Sequence, residues 1–351
     1  MVTFLSSDPI IATPQQVLPT ELIFQVIESL IPSYPPPVLP PHHVVTRTFL
    51  SLCLTSKSTH YIAHGLFIQH CIYLGSLPGL QAFSGASPGC LPECPIQRHT
   101  HSTSMYLAPF RHRDEVTNGP AIQISDMFST LAGSLRRLVL DFPWRGFYPE
   151  SDSRQASIIL ARAFRRLSAI EEFVSIEDDL PLDLPQEEDN YIHEAWSAWP
   201  RLRALSLNSP RITEGFVQAF QRCPNLTHVV FAKPLGLTEP LPAEALDVVA
   251  QMRLRLQRVT FVETTRGWDF WARIQDYQRM VREFDRSFLG GLMARSGDEQ
   301  GTGSPVLELR YVGIPSVPPN QNDITAPWVR DRVMDATIWG SHGECYAPER
   351  Q

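Results

Sequence analysis

The sequence predicts a mixed α/β (α+β) fold in which a unit of three N-terminal helices precedes an irregular α/β solenoid. Two observations predict it. Near the N-terminus, apolar residues recur at three- and four-residue steps, which is typical of amphipathic helices. Beyond residue 130, a short strand-like apolar motif returns several times, which is typical of stacked repeats.

The composition indicates a globular, intracellular protein. The chain has 351 residues, of which 43% are hydrophobic, enough to bury a sizeable core. The net charge of −7 argues against a nucleic-acid partner, which normally requires a basic surface. Six scattered cysteines do not resemble a disulfide framework, and no apolar run approaches a membrane span. We therefore expect a cytoplasmic or nuclear location and no membrane partner.

The first ordered element is a predicted helix that follows a leader, residues 1–16, expected to be disordered. One apolar stripe defines this helix: Leu18, Leu22, Ile23, Val26, Ile27 and Leu30. Pro19 suits a first helical position. Residues 32–41 contain six prolines and should form an extended, exposed connection. Two more short helices are predicted between Val44 and His70, which completes a helical domain at residues 17–72.

Three blocks of this region follow a recognisable order. They are Leu-Pro-x-Glu-Leu-Ile-x-x-Val-Ile-x-x-Leu from Leu18 to Leu30, Phe-Leu-Ser-Leu-Cys-Leu-Thr-Ser-Lys from Phe49 to Lys57, and Ile62-Ala63. This order resembles the F-box of filamentous-fungal proteins. The resemblance implies a three-helix unit that binds the Skp-type linker subunit of an SCF (Skp-cullin-F-box) ubiquitin ligase. Two features depart from the family: Thr59 stands where a large aromatic is usual, and the proline-rich segment lengthens the first connection.

Carried over residue by residue, the resemblance implies nine side chains that contact the linker. They are Leu18, Pro19, Leu22, Ile23, Val26, Ile27, Leu50, Leu52 and Leu54. The alternative is that all nine are ordinary core residues of a helical domain.

Residues 73–120 are rich in Gly, Pro, Ser and His, and are predicted to form a loop or linker. Four residues in it could supply zinc ligands: Cys90, Cys94, His99 and His101. Their His-x-His spacing is not that of a common zinc finger, and His60 and His64 have no third ligand at a known spacing, so we expect no metal site.

No catalytic residue is predicted. The segment Gly85 to Gly89 matches Gly-x-Ser-x-Gly, but a nucleophile elbow needs a strand before the serine and a helix after it. A loop precedes Ser87, and Pro88 opposes a helix. We expect a protein that is not an enzyme and binds no cofactor.

A repeat dominates the predicted domain at residues 121–345. Its instances are Leu135-Leu138-Leu140, Leu202-Leu205-Leu207, Leu226-Val229-Phe231, Leu256-Val259-Phe261 and Val306-Leu309-Tyr311, with a degraded copy at Ile170-Phe173. This is the Leu-x-x-Leu-x-Leu signature of leucine-rich repeats. A compact α/β domain with similar strands is the alternative.

Residues between the core positions of these strands should share one concave face on which a protein partner binds. They are Val139, Ser206, Val230, Thr260 and Arg310. Two other segments are predicted in this domain: an exposed acidic loop from Glu171 to Asp189, and a long helix from Trp268 to Phe288 that stops at Gly290-Gly291.

Two functions follow. The first is a non-catalytic substrate-recognition adaptor of an SCF ubiquitin ligase, whose partners are the Skp-type linker and an unknown protein substrate. The second is a repeat-based binding scaffold with no link to a ligase, whose N-terminal helices are a cap. Exposure of Leu18, Pro19 and Leu22 favours the first, and their burial against the first repeat favours the second.

Overall fold

The structure, a computed structural model, is a mixed α/β fold, which confirms the predicted class. It describes residues 19–32, 38–85, 103–110, 115, 117–142, 153–178, 195–265, 270–271, 274–275, 278, 281, 283–294, 307–315, 324–340 and 343–345. The leader therefore lies outside the described residues. No helix in the described part of the chain has the length and apolar character needed to cross a membrane.

Three helices form the N-terminal unit: α1 (Thr20–Glu28), α2 (Val44–Leu52) and α3 (Lys57–His70). Helices α1 and α2 both pack on α3. Their shared core consists of the buried residues Ile27, Leu39, Val45, Phe49, Ala63 and Cys71. This core is separate from that of the sheet, so the unit has its own source of stability.

The proline-rich connection between α1 and α2 differs from the prediction at its end. Val38 and Leu39 are fully buried. Val38 packs with residues of the sheet, and Leu39 packs with the helices and donates its backbone N–H to the His70 carbonyl at 2.7 Å. Because these two residues are apolar, they hold the end of the connection inside the molecule.

One sheet of nine strands contains all the strands in the described residues, and the strands lie side by side in sequence order. They are β1 (Ile72–Leu74), β2 (Thr103–Leu107), β3 (Leu135–Leu140), β4 (Glu172–Ser175), β5 (Ala204–Asn208), β6 (His228–Ala232), β7 (Arg258–Thr265), β8 (Glu308–Pro315) and β9 (Glu344–Cys345). Each pair from β1 to β8 is parallel, and β9 is antiparallel to β8. The six predicted repeats are β3 to β8.

The segment predicted as a loop, residues 73–120, instead contributes most of β1 and all of β2 to the sheet. Met105 of β2 pairs with Ile72 and with Leu138, so both strands continue the register of the repeats. In the repeat motif, the first apolar residue stands three positions before the second. In β1 the second apolar residue is Ile72, so the first position is Gln69, which is polar. This missing residue hides the repeat from the sequence.

Six of the helices that the structure describes pack on one face of the sheet, called here the helix-side face. They are α4 (Leu77–Gly85), α5 (Asn118–Leu131), α6 (Ser153–Arg165), α7 (Glu214–Ala219), α8 (Ala243–Arg255) and α9 (Phe288–Met293). Aromatic side chains join successive repeats in this core. Trp199, for example, lies 4.8 Å from the Phe173 ring and donates its indole N–H to the Phe164 carbonyl at 2.9 Å. Burial on this face therefore stabilises the packing of each strand and helix against its neighbours.

The predicted long helix from Trp268 to Phe288 is interrupted. Residues 270–271, 274–275 and 278 are helical, but Phe284–Arg286 is a 3₁₀ turn, and a new helix, α9, follows the side-chain cap of Ser287. The two glycines predicted as a helix stop lie inside α9. Gly290 is required there, because a Cβ would lie 2.1 Å from the Phe284 carbonyl oxygen.

The predicted acidic loop also differs at its start. Glu172 belongs to β4, and Asp178 is buried. Glu171 pairs with Arg136 of β3 at 2.7 Å. Residues 179–194, which hold the rest of the acidic segment, lie outside the described residues.

Candidate functional site

Helix α1 has apolar side chains on two faces, and only one face is buried. Ile27 is 3% exposed and Ile23 is half-buried, and both pack in the N-terminal core. Leu22 and Val26, one helical turn apart, are 44% and 63% exposed. A surface helix normally places polar residues on its outer face. The outer face of α1 departs from this pattern and is a candidate contact surface.

Exposed apolar side chains continue on the other two helices of the unit. Leu50 of α2 is 48% exposed, and Leu54, in the turn after α2, is 88% exposed. Val44 at the start of α2 and Tyr61 of α3 are also exposed. Neither Val44 nor Tyr61 was predicted as a site residue, because the family pattern does not single them out.

Large exposed apolar residues are concentrated in this unit. Nine such residues occur in the described part of the chain, and six of them lie between residues 22 and 61. The six form what we call the N-terminal patch: Leu22, Val26, Val44, Leu50, Leu54 and Tyr61. Exposed apolar patches often mark interaction sites in folded proteins, which makes these six residues a candidate contact surface.

The nine predicted linker contacts divide into three groups. Pro19, Leu22, Val26, Leu50 and Leu54 are exposed. Ile23, Ile27 and Leu52 instead face the N-terminal core. Leu18 lies outside the described residues. The alternative that these side chains are ordinary core residues therefore fits Ile23, Ile27 and Leu52. It does not fit the five exposed residues.

Thr59 has a local structural role in place of the usual aromatic. Its side chain accepts the Ser56 backbone N–H, and the Ser56 side chain accepts the Thr59 N–H, both at 3.2 Å. The Thr59 hydroxyl also donates to the Leu52 carbonyl at 3.1 Å. This capping box fixes the start of α3 against the end of α2.

A second candidate surface is the face of the sheet opposite the helices, called here the second face. Strand register places the five residues predicted to bind a partner in one row across it, with Val174 between Val139 and Ser206. The row, called here the central row, runs Tyr73, Tyr106, Val139, Val174, Ser206, Val230, Thr260 and Arg310.

The central row is covered, however. Val139, Ser206, Val230 and Thr260 are each at most 4% exposed. A C-terminal helix, α10 (Thr325–Met334), forms much of the cover and packs on β6 and β7. Its inward side chains are Ala326, Val329 and Val333, spaced at three and four residues, and Val38 and Ile338 are buried in the same cluster. A partner therefore reaches Val230 and Thr260, on β6 and β7, only if α10 moves.

A polar network anchors α10 to the sheet. Arg330 donates two hydrogen bonds to Asp141, at 2.6 and 2.7 Å, and one to Glu177 at 3.2 Å. The Tyr106 hydroxyl donates to the same Asp141 carboxylate. Burial and the Asp141 charge raise the pKa of Tyr106, and the hydrogen bonds from Arg330 to Asp141 raise the pKa of Arg330. The tyrosine therefore stays neutral and the guanidinium stays charged at physiological pH.

A charged row lies beside the central row on the second face. Arg137 pairs with Glu172 at 3.2 Å, and Arg258 pairs with Glu308 at 2.6 Å. Trp339 links the two pairs: its indole N–H donates to Glu172 at 3.2 Å, and its carbonyl accepts from Arg258 at 2.7 Å. Polar contacts thus hold the segment after α10 against the second face.

Arg310, the fifth predicted residue, is half-buried at the end of the central row. Its guanidinium donates to Glu308 and, at 3.1 Å, to the Gly343 carbonyl. The hydrogen bonds from Arg310, followed by those from Arg258, lower the pKa of Glu308. Arg310 therefore holds the C-terminal segment as well as facing solvent.

Two histidines of α3 form a stacked pair. The rings of His60 and His64 are stacked at 5.5 Å, and the Nδ1 atom of His60 lies 2.9 Å from the Cys53 carbonyl oxygen, so it carries the hydrogen. Burial and His60 lower the pKa of His64. Among the described residues, no group of three or more His, Cys, Asp or Glu side chains could hold a metal ion.

The other sequence candidates lie elsewhere. Cys90, Cys94, His99 and His101, together with Ser87, fall outside the described residues. The predictions about them stay predictions.

Comparison with known proteins adds no family. No protein-family model matches the chain, and a search of curated proteins returns no match.

Proposed function

We propose that this protein is a non-catalytic substrate-recognition adaptor of an SCF ubiquitin ligase. In this proposal the N-terminal patch binds the Skp-type linker, and the second face of the sheet binds a protein substrate. The observation that carries the proposal is the exposed apolar face of α1, where Leu22 and Val26 are about half exposed or more on a well-packed helix.

The energetics support a partner for this face. Burying a Leu or Val side chain stabilises a complex by roughly 1.5–3 kcal/mol. The patch supplies six large apolar side chains, and only a few well-buried residues dominate a typical interface. The patch therefore offers enough exposed apolar side chains to provide such a set.

The arrangement of the hydrophobic cores supports separate binding sites for the linker and the substrate. The N-terminal unit has its own core, and the sheet has two cores, one on each face. Contacts to β1 and β2 join α3 to the sheet. A linker bound to the helices and a substrate bound to the sheet would thus be held at a fixed separation, which raises the effective concentration of substrate near the ligase.

We further propose that the sheet is a divergent leucine-rich-repeat solenoid. Strictly sequential parallel strands with a helix after most of them are what stacking of such repeats produces. The protein would act in the cytoplasm or the nucleus, without a cofactor.

The alternative function is a binding scaffold with no link to a ligase. It requires the N-terminal helices to serve only as a cap on the first repeat. The exposure of Pro19 and Leu22 favours the adaptor, because a cap would bury its most apolar residues against the sheet.

The test is binding of the purified chain to a Skp-type linker, measured by titration calorimetry. The variant Leu22→Ala, Val26→Ala, Leu54→Ala should lose at least about 10-fold in affinity, since each truncation at a buried contact costs on the order of 1 kcal/mol or more. The matched control is Leu254→Ala, an exposed leucine on α8 that should bind the linker as the unaltered chain does. Absence of linker binding by the folded chain leaves the scaffold function.

A further inference from the structure

We propose that the second face of the sheet binds a partner helix with the chemistry of α10: small aliphatic side chains at three- and four-residue spacing, and an arginine that pairs with Asp141. In its own chain, α10 occupies that site as an intramolecular competitor. The inference rests on the proposed function, because it names the kind of substrate segment that the adaptor binds.

The first support is the position of α10. It lies on β6 and β7, at the middle of the row that the repeat pattern assigns to partner binding. Val329 and Val333 are fully buried in this contact, and Ala326 is 4% exposed. The face therefore accepts a helix, and the helix it holds shows which side chains fit.

The second support is the anchor. Asp141 is buried, whereas Arg330 is 36% exposed and extends to it from the solvent side of α10. The contact is bidentate, a geometry that the planar guanidinium provides and a lysine does not. Without α10, Asp141 would keep the hydrogen bond from Tyr106 but lose its cation. The face therefore selects an arginine in any helix that replaces α10.

The third support is an unsatisfied polar group on the second face, beside the strands that α10 contacts. The hydroxyl oxygen of Ser206, in the central row on β5, is buried without a hydrogen-bond partner among the described residues, and so is that of Ser104 on β2. A buried hydroxyl without a partner is unfavourable. A partner helix that brings an acceptor to Ser206 would gain a hydrogen bond that the described residues of the free chain do not make.

The tether explains why the site is closed in the free chain. A segment of the same polypeptide competes at an effective concentration in the millimolar range. A free helix of equal chemistry is therefore excluded until α10 is weakened. A substrate must bind more strongly than α10, or α10 must be displaced first.

The test uses the full chain with α10 weakened. In the variant Arg330→Glu, a carboxylate replaces the guanidinium beside Asp141 and Glu177. The matched control is Arg332→Glu, with the same change of charge on the same helix, because Arg332 pairs with Asp335 of its own segment at 3.2 Å and, among the described residues, forms no ion pair with the sheet. The probe is a fluorescein-labelled peptide of residues 324–340, followed by fluorescence anisotropy.

The peptide should bind Arg330→Glu at least about 10-fold more tightly than it binds the unaltered chain or Arg332→Glu. A peptide that itself carries Arg330→Glu should bind none of the three. Equal binding to all three chains, or equal binding by the two peptides, would overturn the proposal and make α10 a fixed part of the core.

Two further measurements keep the result decisive. If Arg330→Glu does not fold, Arg330→Gln replaces it, and hydrogen exchange is measured on the unaltered chain. Backbone amides of α10 should then exchange at least about 10-fold faster than those of β6 and β7, because α10 opens locally; exchange of all three elements together would overturn the proposal. Linker binding is measured in parallel, since its loss affects only the proposed ligase function.

Discussion

Two neighbouring residues of α1 provide a direct test of its two apolar faces. Val26 is 63% exposed and Ile27 is 3% exposed, so the same truncation should have opposite consequences. Ile27→Ala removes a side chain from the N-terminal core, and such changes cost about 2–5 kcal/mol because a cavity remains. Val26→Ala removes atoms that already contact water. It also gains up to roughly 0.7 kcal/mol of helix propensity, so it should be neutral or slightly stabilising.

Native-state hydrogen exchange at the backbone amides of α3 is the assay, because α1 packs on α3. A loss of about 3 kcal/mol in Ile27→Ala would speed exchange by roughly 100-fold, since each 1.4 kcal/mol is a factor of ten. Val26→Ala should leave the rate within a factor of about three. If Val26→Ala speeds exchange as much as Ile27→Ala does, the outer face of α1 is buried in solution and the reasoning fails.

Three further predictions concern the sheet and its buried groups. Tyr106→Phe removes the hydroxyl that donates to the buried Asp141 carboxylate, and should lower the free energy of unfolding by about 1.5–3 kcal/mol in urea titrations; no change would show that the hydrogen bond is not formed. Burial lowers the pKa of His70 from 6.5 to about 4, so the unfolded chain binds a proton at this residue more readily than the folded chain does. The contribution of His70 to the free energy of unfolding is therefore full above pH 6.5 and falls as the pH falls toward 4. In His70→Gln, the urea midpoint should vary less with pH between 6.5 and 4 than it does in the unaltered chain. The same variation in both chains would refute this prediction. Burial raises the pKa of Cys223 to about 12, so a thiol reagent at pH 8 should label exposed Cys345 first and Cys223 only after unfolding, as read by mass spectrometry.

The strands of the repeat domain could be predicted from the sequence because their signal is local. An apolar residue at three fixed positions, as in Leu202-Leu205-Leu207, identifies a strand whose alternate side chains face the helices. The strand β1 was not predicted because Gln69 stands at the first repeat position, and Gly75, Ser76 and Pro78 follow the strand. Register with the next strand, a non-local property, reveals it in the structure.

Burial of the second face could not be predicted, because its cover is distant in sequence. Helix α10 contains Pro327 in its first turn and several charged residues, which obscure its apolar stripe. Pro is tolerated there because the first-turn N–H groups have no helical partner. The salt bridge that holds α10 joins Arg330 to Asp141, and nothing in either local pattern pairs them.

The exposed apolar residues of the N-terminal helices were predicted in part. The family pattern identified the apolar positions of α1 but could not divide them into a core face and an outer face. Whether Leu22 or Ile23 faces the core depends on how α1 is rotated about its axis relative to α3. The structure shows that rotation, and the sequence pattern does not.

The most direct test of the account is the affinity of the intact chain for a purified Skp-type linker, measured beside Leu22→Ala, Val26→Ala, Leu54→Ala and the control Leu254→Ala. We expect specific binding that the triple variant loses by at least about 10-fold and the control retains. A folded chain that binds no linker, or a triple variant that binds as well as the unaltered chain, would contradict the assignment of the N-terminal patch as a ligase-docking surface.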